Sequence, residues 1–155
     1  MFHVVLYQPE IPPNTGNVMR LCANTGCQLH LIEPLGFAPD DKKLRRAGLD
    51  YHDWEQVARY PDLPSFLTKN AVGRLFMFST HHHRYYSEAD FRQGDAFVFG
   101  PETRGLPENV RVSVDPEQRL TLPMVPGNRS LNLANCVAVV VYEAWRQNRF
   151  PGTSS

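Results

Sequence analysis

Five short apolar runs constrain this chain more than any other feature: FHVVLY at 2–7, QLHLIE at 28–33, RLFMFST at 74–80, DAFVFG at 95–100 and RLTLP at 119–123. Several are apolar without alternation, the pattern of strands buried on both faces. The segments between them are long enough for crossover helices, so the runs predict an α/β domain with a mainly parallel sheet and flanking helices. A chain of 155 residues that is 42% hydrophobic has enough apolar material for one core, and a single domain over 1–155 is expected, with PGTSS at 151–155 as a loose tail. MFHVVLYQPE reads as a strand rather than a leader, and the apolar run VAVVVY is far shorter than a bilayer span. A cytoplasmic protein without a membrane partner is the expectation.

In open parallel sheets, ligands bind beyond the carboxyl ends of the strands. The loops there are QPEIPPNTGNVMRLCANTG, GPETRGLPENV and PMVPGNRSLNLAN. None carries GxGxxG or GxxxxGK[ST], so neither a dinucleotide fingerprint nor a P-loop is supported. The first loop leads into a helix, with Asn14 or Thr15 expected as N-cap and Gly26 as C-cap. On that helix Val18, Leu21, Cys22 and Thr25 share one face, while Arg20 and Asn24 share the opposite one. The third loop opens a helix over 131–146, a stretch without Gly or Pro, with Ser130 as its expected N-cap. That helix is apolar nearly all round, so one of its faces is expected to meet a second copy of the chain. Asn132 and Asn135 at its start exceed what capping needs.

Lys+Arg and Asp+Glu both total 16, so the formal charge is zero and bulk attraction to nucleic acid is excluded. A local patch remains at DDKKLRR, where Lys42, Lys43, Arg45 and Arg46 form either an RNA contact or a solvated helix face. Cys22, Cys27 and Cys136 form no CxxC and are expected to be reduced and mostly buried. His81, His82 and His83 are adjacent and cannot easily aim three rings at one ion, so no metal is expected there.

Together NTGNVMRLCANTG, FGPETRGLP and LPMVPGNRSLNLANCVAVVVYEAWRQ resemble the three motifs of the SPOUT superfamily of S-adenosylmethionine-dependent RNA methyltransferases. YQPEIPPNTGNVMRLCANTG with DDKKLRRAGLDYH is similar to its tRNA (cytidine/uridine-34) 2′-O-methyltransferase group. The resemblance implies a C-terminal deep trefoil knot, a homodimer, and S-adenosyl-L-methionine held in the knot without a metal. It implies cofactor contacts at Phe78, Gly100, Leu122, Met124 and Ser130. It places Asn14, Arg20, Glu102, Ser130 and Asn132 around the methyl acceptor, with Arg20 as the favoured catalytic residue. The implied substrate is the ribose of position 34 in a tRNA anticodon stem-loop, leucine tRNAs foremost, with Lys42, Lys43, Arg45 and Arg46 on the stem's phosphates. Another tRNA or rRNA position keeps the same motifs. A non-catalytic RNA-binding module is the remaining class, against which Arg20, Glu102, Ser130 and Asn132 count.

Overall fold

The computed structural model describes residues 1–38, 42–46, 51–128 and 131–154, the side chains at 43, 44 and 51 excepted. Its strands are β1 (His3–Tyr7), β2 (Gln28–Ile32), β3 (Ala58–Tyr60), β4 (Leu75–Phe78), β5 (Arg84–Tyr85), β6 (Ala96–Phe99) and β7 (Arg119–Thr121). They form one seven-stranded sheet in the order β3-β2-β1-β6-β4-β7-β5, and every pairing is parallel. The helices are α1 (Pro12–Thr25), α2 (Lys42–Arg46), α3 (Tyr51–Glu55), α4 (Leu63–Lys69), α5 (Glu108–Arg111) and α6 (Leu133–Gln147).

The unbroken apolar strands are explained by two cores, one on each face of the sheet. Val4, Leu6, Phe76, Phe78, Phe97 and Phe99 point to the side where Val18 and Cys22 of α1 and Val137, Val140 and Val141 of α6 pack. The alternate residues Val5, Met77, Ala96 and Val98 point to the other side, with Ile32, Tyr60 and Phe66 of α4. Burying a large apolar side chain stabilises by about 1.5–3 kcal/mol relative to leaving it exposed, so both faces contribute.

α1 ends as expected, at Gly26 with φ 76° in the left-handed region. Its start corrects the sequence reading: the N-cap is Ile11, with no side-chain cap, and Asn14 and Thr15 lie buried inside the helix. Pro12 and Pro13 are the cause, because a proline in the first turn removes an N–H that capping would otherwise have to satisfy. Arg20 and Asn24 are exposed and Val18, Cys22 and Thr25 buried, as the periodicity predicts. α6 likewise starts later than expected. Its N-cap is Asn132, whose side chain accepts from the Asn135 backbone N–H; Ser130, the expected cap, lies outside the described residues. Val137 and Val141 are fully buried, whereas Leu131 (44% exposed), Val139 (40%) and Tyr142 (46%) face outward. Beyond α6, Trp145 Nε1 donates to the Pro151 carbonyl at 2.9 Å, and Phe150 packs edge-on against the same indole.

Two further polar groupings matter later. His82 is buried, and its Nδ1 lies 3.2 Å from the Met77 carbonyl and 3.1 Å from that of Leu120. It therefore donates from Nδ1, and burial holds its pKa below the usual value. Beneath α4, Asn70 Nδ2 donates to Tyr60 Oη at 3.0 Å, Tyr60 Oη meets His30 Nδ1 at 3.0 Å, and His30 Nε2 meets His3 Nδ1 at 2.9 Å. Phe66 closes this chain edge-on, 4.6 Å from the His30 ring. The three cysteines are free, with Cys22 and Cys27 buried and Cys136 half-buried. Among the described residues no helix is long and apolar enough to cross a membrane.

Candidate active site

The loops after β1, β4, β6 and β7 and the start of α6 enclose a cleft of about 450 Å³, within the range of small-molecule sites. Its lining includes Asn14, Phe78, Gly100, Glu102, Leu122, Met124 and Asn132, so seven of the residues singled out in the sequence come together. The floor is apolar: Phe78 stacks on Phe99 with centroids 4.8 Å apart and planes 13° from parallel. Cys136 is also in the lining, and burial raises its thiol pKa to about 11, which leaves it a neutral packing group.

One wall is a hydrogen-bonded polar network. Glu102 Oε1 accepts from the Glu10 N–H and Oε2 from the Ile11 N–H, both at 2.8 Å. Oε2 also accepts from Asn14 Nδ2 at 3.3 Å. The carboxylate thus satisfies the N–H groups of the two residues that lead into α1, at the helix end that favours negative charge. With its amide nitrogen facing Glu102, Asn14 turns Oδ1 to Asn132 Nδ2, 3.0 Å away. The loop after β6, the first turn of α1 and the start of α6 are therefore joined side chain to side chain. Glu10 answers in kind, its Oε1 accepting from Thr103 N at 2.9 Å and Thr103 Oγ1 at 2.7 Å. Those two bonds, backbone first, hold the Glu10 carboxyl below its ordinary pKa.

Gly100 needs its missing side chain for a reason other than ligand approach. A Cβ there would stand 2.3 Å from Leu106 N and 2.5 Å from Gly105 C, so it is the chain's own backbone that closes on it. The turn is sealed by Gly105 N–H donating to the Pro101 carbonyl at 2.8 Å.

Other expected residues lie elsewhere. Arg20 is exposed and not among the described cleft-lining residues; it lies six residues along α1 from Asn14, about 9 Å of helical rise. Lys42, Arg45 and Arg46 are exposed on α2. Arg46 borders a shallow hollow with Glu10, Ile11, Pro12 and Pro13, so this basic helix abuts the outer side of the cleft wall. The Lys43 side chain and Ser130 are outside the described residues. Of the three histidines, His81 is exposed on the cleft, His82 is buried and His83 is exposed. No group of three or more His, Cys, Asp or Glu among the described residues is placed to hold a metal. Sequence reading missed Glu10, Thr103 and Arg104, although all three stand in the quoted loops; their link is a contact between residues more than ninety positions apart, which no local pattern carries.

The SpoU rRNA Methylase family pattern matches residues 1–142. The chain is 55% identical over 152 residues to a tRNA (cytidine(34)-2′-O)-methyltransferase of Escherichia coli (strain K12), covering 98% of this chain and 97% of that one. Among solved structures, it superposes on an RNA methyltransferase from Bacillus anthracis with TM-score 0.87 at 47% identity, over 100% of this chain and 99% of that one. A structure concerned with 2-OH methylation of C/U34 on tRNA gives TM-score 0.86 at 47% identity, over 96% and 97% of the two chains.

Proposed function

The chain belongs to the SpoU rRNA methylase family, and on that premise we propose that it moves the methyl group of S-adenosyl-L-methionine to the ribose 2′-hydroxyl of the wobble nucleotide, position 34, of tRNA. The observation that carries this reading is the bonded set Glu102–Asn14–Asn132 on the wall of an apolar-floored cleft, in a chain alike over nearly its whole length to relatives of that name. Leucine tRNAs in the cytoplasm are the proposed substrates, and one domain over 1–155 with a tail at 151–155 is the proposed unit.

The residues present fit the cofactor. Stacked Phe78 and Phe99, with Leu122 and Met124, offer an apolar bed, and the carbonyls and N–H groups of the surrounding loops offer edges for adenine and ribose. Bound there, the cofactor would supply an electrophilic methyl carbon on a positively charged sulfur, and transfer of that methyl to the 2′-oxygen would leave a thioether and require the hydroxyl proton to depart. Glu102 is not the group that takes this proton, because its two oxygens already accept three N–H donors. Its role, with Asn14 and Asn132, is to fix the wall against which acceptor and donor align. The Arg20 guanidinium, a donor only, stabilises the developing alkoxide and grips a phosphate that accepts the proton. Ser130 completes the acceptor side.

Arg20 reaches a cleft by way of a homodimer. The outward Val139 and Tyr142 of α6 form the proposed seam, and Arg20 and the Lys42–Arg46 helix of one copy then serve the cleft of the other. The trefoil knot belongs to the same proposal. β7 lies between β4 and β5, which residues 79–83 join, so that segment must pass across β7, and His82 fastens it to the Leu120 carbonyl.

The test uses purified protein, methyl-labelled cofactor and a leucine tRNA transcript with either a ribose or a 2′-deoxyribose at nucleotide 34. Label should enter the first and not the second; undiminished labelling of the deoxy RNA would place the acceptor elsewhere.

A further inference from the structure

Arg104 is the one lysine or arginine among the described residues that line the cleft, and the mechanism above gives it nothing to do. Its side chain is 59% exposed, at the rim, yet it is held from two sides. Nη2 donates to Gln8 Oε1 at 3.0 Å, and Nε stands 4.0 Å from Glu10 Oε2. Both holders sit on the loop after β1. Gln8 adopts φ 50°, a left-handed conformation uncommon outside glycine, and its N–H is fastened to the Ile32 carbonyl at 2.9 Å. Backbone strain of this kind, of order 1–3 kcal/mol, persists only where the surroundings impose it, and here it aims the Gln8 amide at Arg104. A guanidinium has five N–H donors in a rigid fork, suited to phosphate. Only one donor is spent in the Gln8 bond, and Nε stands 4.0 Å from Glu10 Oε2, beyond hydrogen-bond length, while Glu10 Oε1 is taken by Thr103.

We propose that Arg104, steadied by Gln8 and Glu10, grips a backbone phosphate of the RNA beside the reacting nucleotide. A cation so open at the rim meets the group that arrives from solution, rather than one seated on the apolar floor. The inference rests on the proposed function for the identity of the RNA, but its central measurement does not require turnover.

A fluorescent anticodon stem-loop RNA is titrated at several salt concentrations against wild type, Arg104→Ala, Arg104→Lys and Gln8→Ala, alongside methyl-transfer kinetics and S-adenosylhomocysteine calorimetry. Arg104→Ala should weaken RNA binding and raise KM for tRNA about tenfold, with the slope of log affinity against log salt reduced by about one phosphate contact. Its kcat and affinity for S-adenosylhomocysteine should stay within about twofold. Arg104→Lys should restore the salt slope but only part of the KM, because a point charge lacks the fork. Gln8→Ala should raise KM a few-fold at an unchanged slope, since the charge remains and its aim is lost. An unaltered slope and KM in Arg104→Ala would overturn the proposal, as would a loss of S-adenosylhomocysteine affinity, which would put the guanidinium on the amino-acid carboxylate instead. Wild type that binds the RNA but does not methylate tRNA would refute the proposed function and still leave the slope to judge Arg104.

Discussion

Two polar networks in this molecule are built from similar parts to different ends. The chain Asn70–Tyr60–His30–His3 lies under α4, with His30 and Tyr60 buried, and one placement of protons satisfies it: each group donates to the next, and His3 passes its other N–H to the Ala71 carbonyl. The network Glu102–Asn14–Asn132 with Glu10–Thr103 is as fully bonded, but it forms the wall of an open cleft. The first spends its hydrogen bonds on the fold alone. The second joins three loops so that the fold's rigidity reaches the place where a ligand sits. Substituting the two should therefore separate stability from turnover.

The largest effect expected is at Glu102. Glu102→Ala strips acceptors from two backbone N–H groups and Asn14, and methyl transfer should fall about a hundredfold, roughly 2.7 kcal/mol of transition-state stabilisation, with a smaller change in cofactor affinity. Retained turnover in this variant would erase the distinction between the networks. Tyr60→Phe should do the reverse. It leaves His30 Nδ1 without a donor, costing about 1–3 kcal/mol in urea unfolding, while kcat/KM at 25 °C stays within twofold.

The closed network also predicts an acid sensitivity. Burial, with the neighbouring His3 second, lowers the His30 pKa to about 4 from 6.5. Between those values the unfolded chain binds the proton and the folded chain does not, so stability should be full above about pH 6.5 and fall as pH drops toward 4. One such group gives a slope of at most about 1.4 kcal/mol per pH unit, and His30→Gln should flatten it in urea titrations at stepped pH.

The smallest effect sharpens the open network from within. Asn132→Asp keeps the oxygen that caps α6 but loses the donor to Asn14, so activity should drop several-fold while the melting temperature barely moves. Asn132→Ala should lose about 1 kcal/mol of stability as well. If the proposed seam on α6 holds, wild type should sediment as a dimer and Tyr142→Glu as a folded monomer, whereas a charge at the fully buried Val141 should unfold the chain.

The sheet was legible where strands are long and apolar. β3 and β5 escaped because ARY and RY are too short and too polar to announce themselves; they are strands by virtue of the neighbours they pair with. α1 was legible in its faces and its glycine stop but not in its start, because Pro12 and Pro13 make a side-chain cap unnecessary and the N–H groups just ahead of them are met by Glu102, some ninety residues away. Asn132 rather than Ser130 caps α6 for a related reason: a run rich in Asn and Ser offers several equivalent caps, and the tertiary bond to Asn14 favours one of them. The cleft's membership came from the resemblance, and the reason for Gly100 did not. Periodicity said only that Arg20 faces outward, which is where it is.

The turn at Gly100 makes the two jaws of the cleft unequal. On the 100–106 side the backbone is pressed so close that not even a methyl group fits, and the turn's ends are bonded to each other and to the loop after β1. This jaw is an anvil, moving only if the end of the sheet moves with it. Across from it, Pro123 and residues 125–128 are exposed, and Gly127 has open space around it. Substitutions that tune how long a spent cofactor lingers should therefore belong on the more open jaw, between 123 and 128, where the bracing is local, Asn128 Nδ2 donating to the Val125 carbonyl at 3.1 Å.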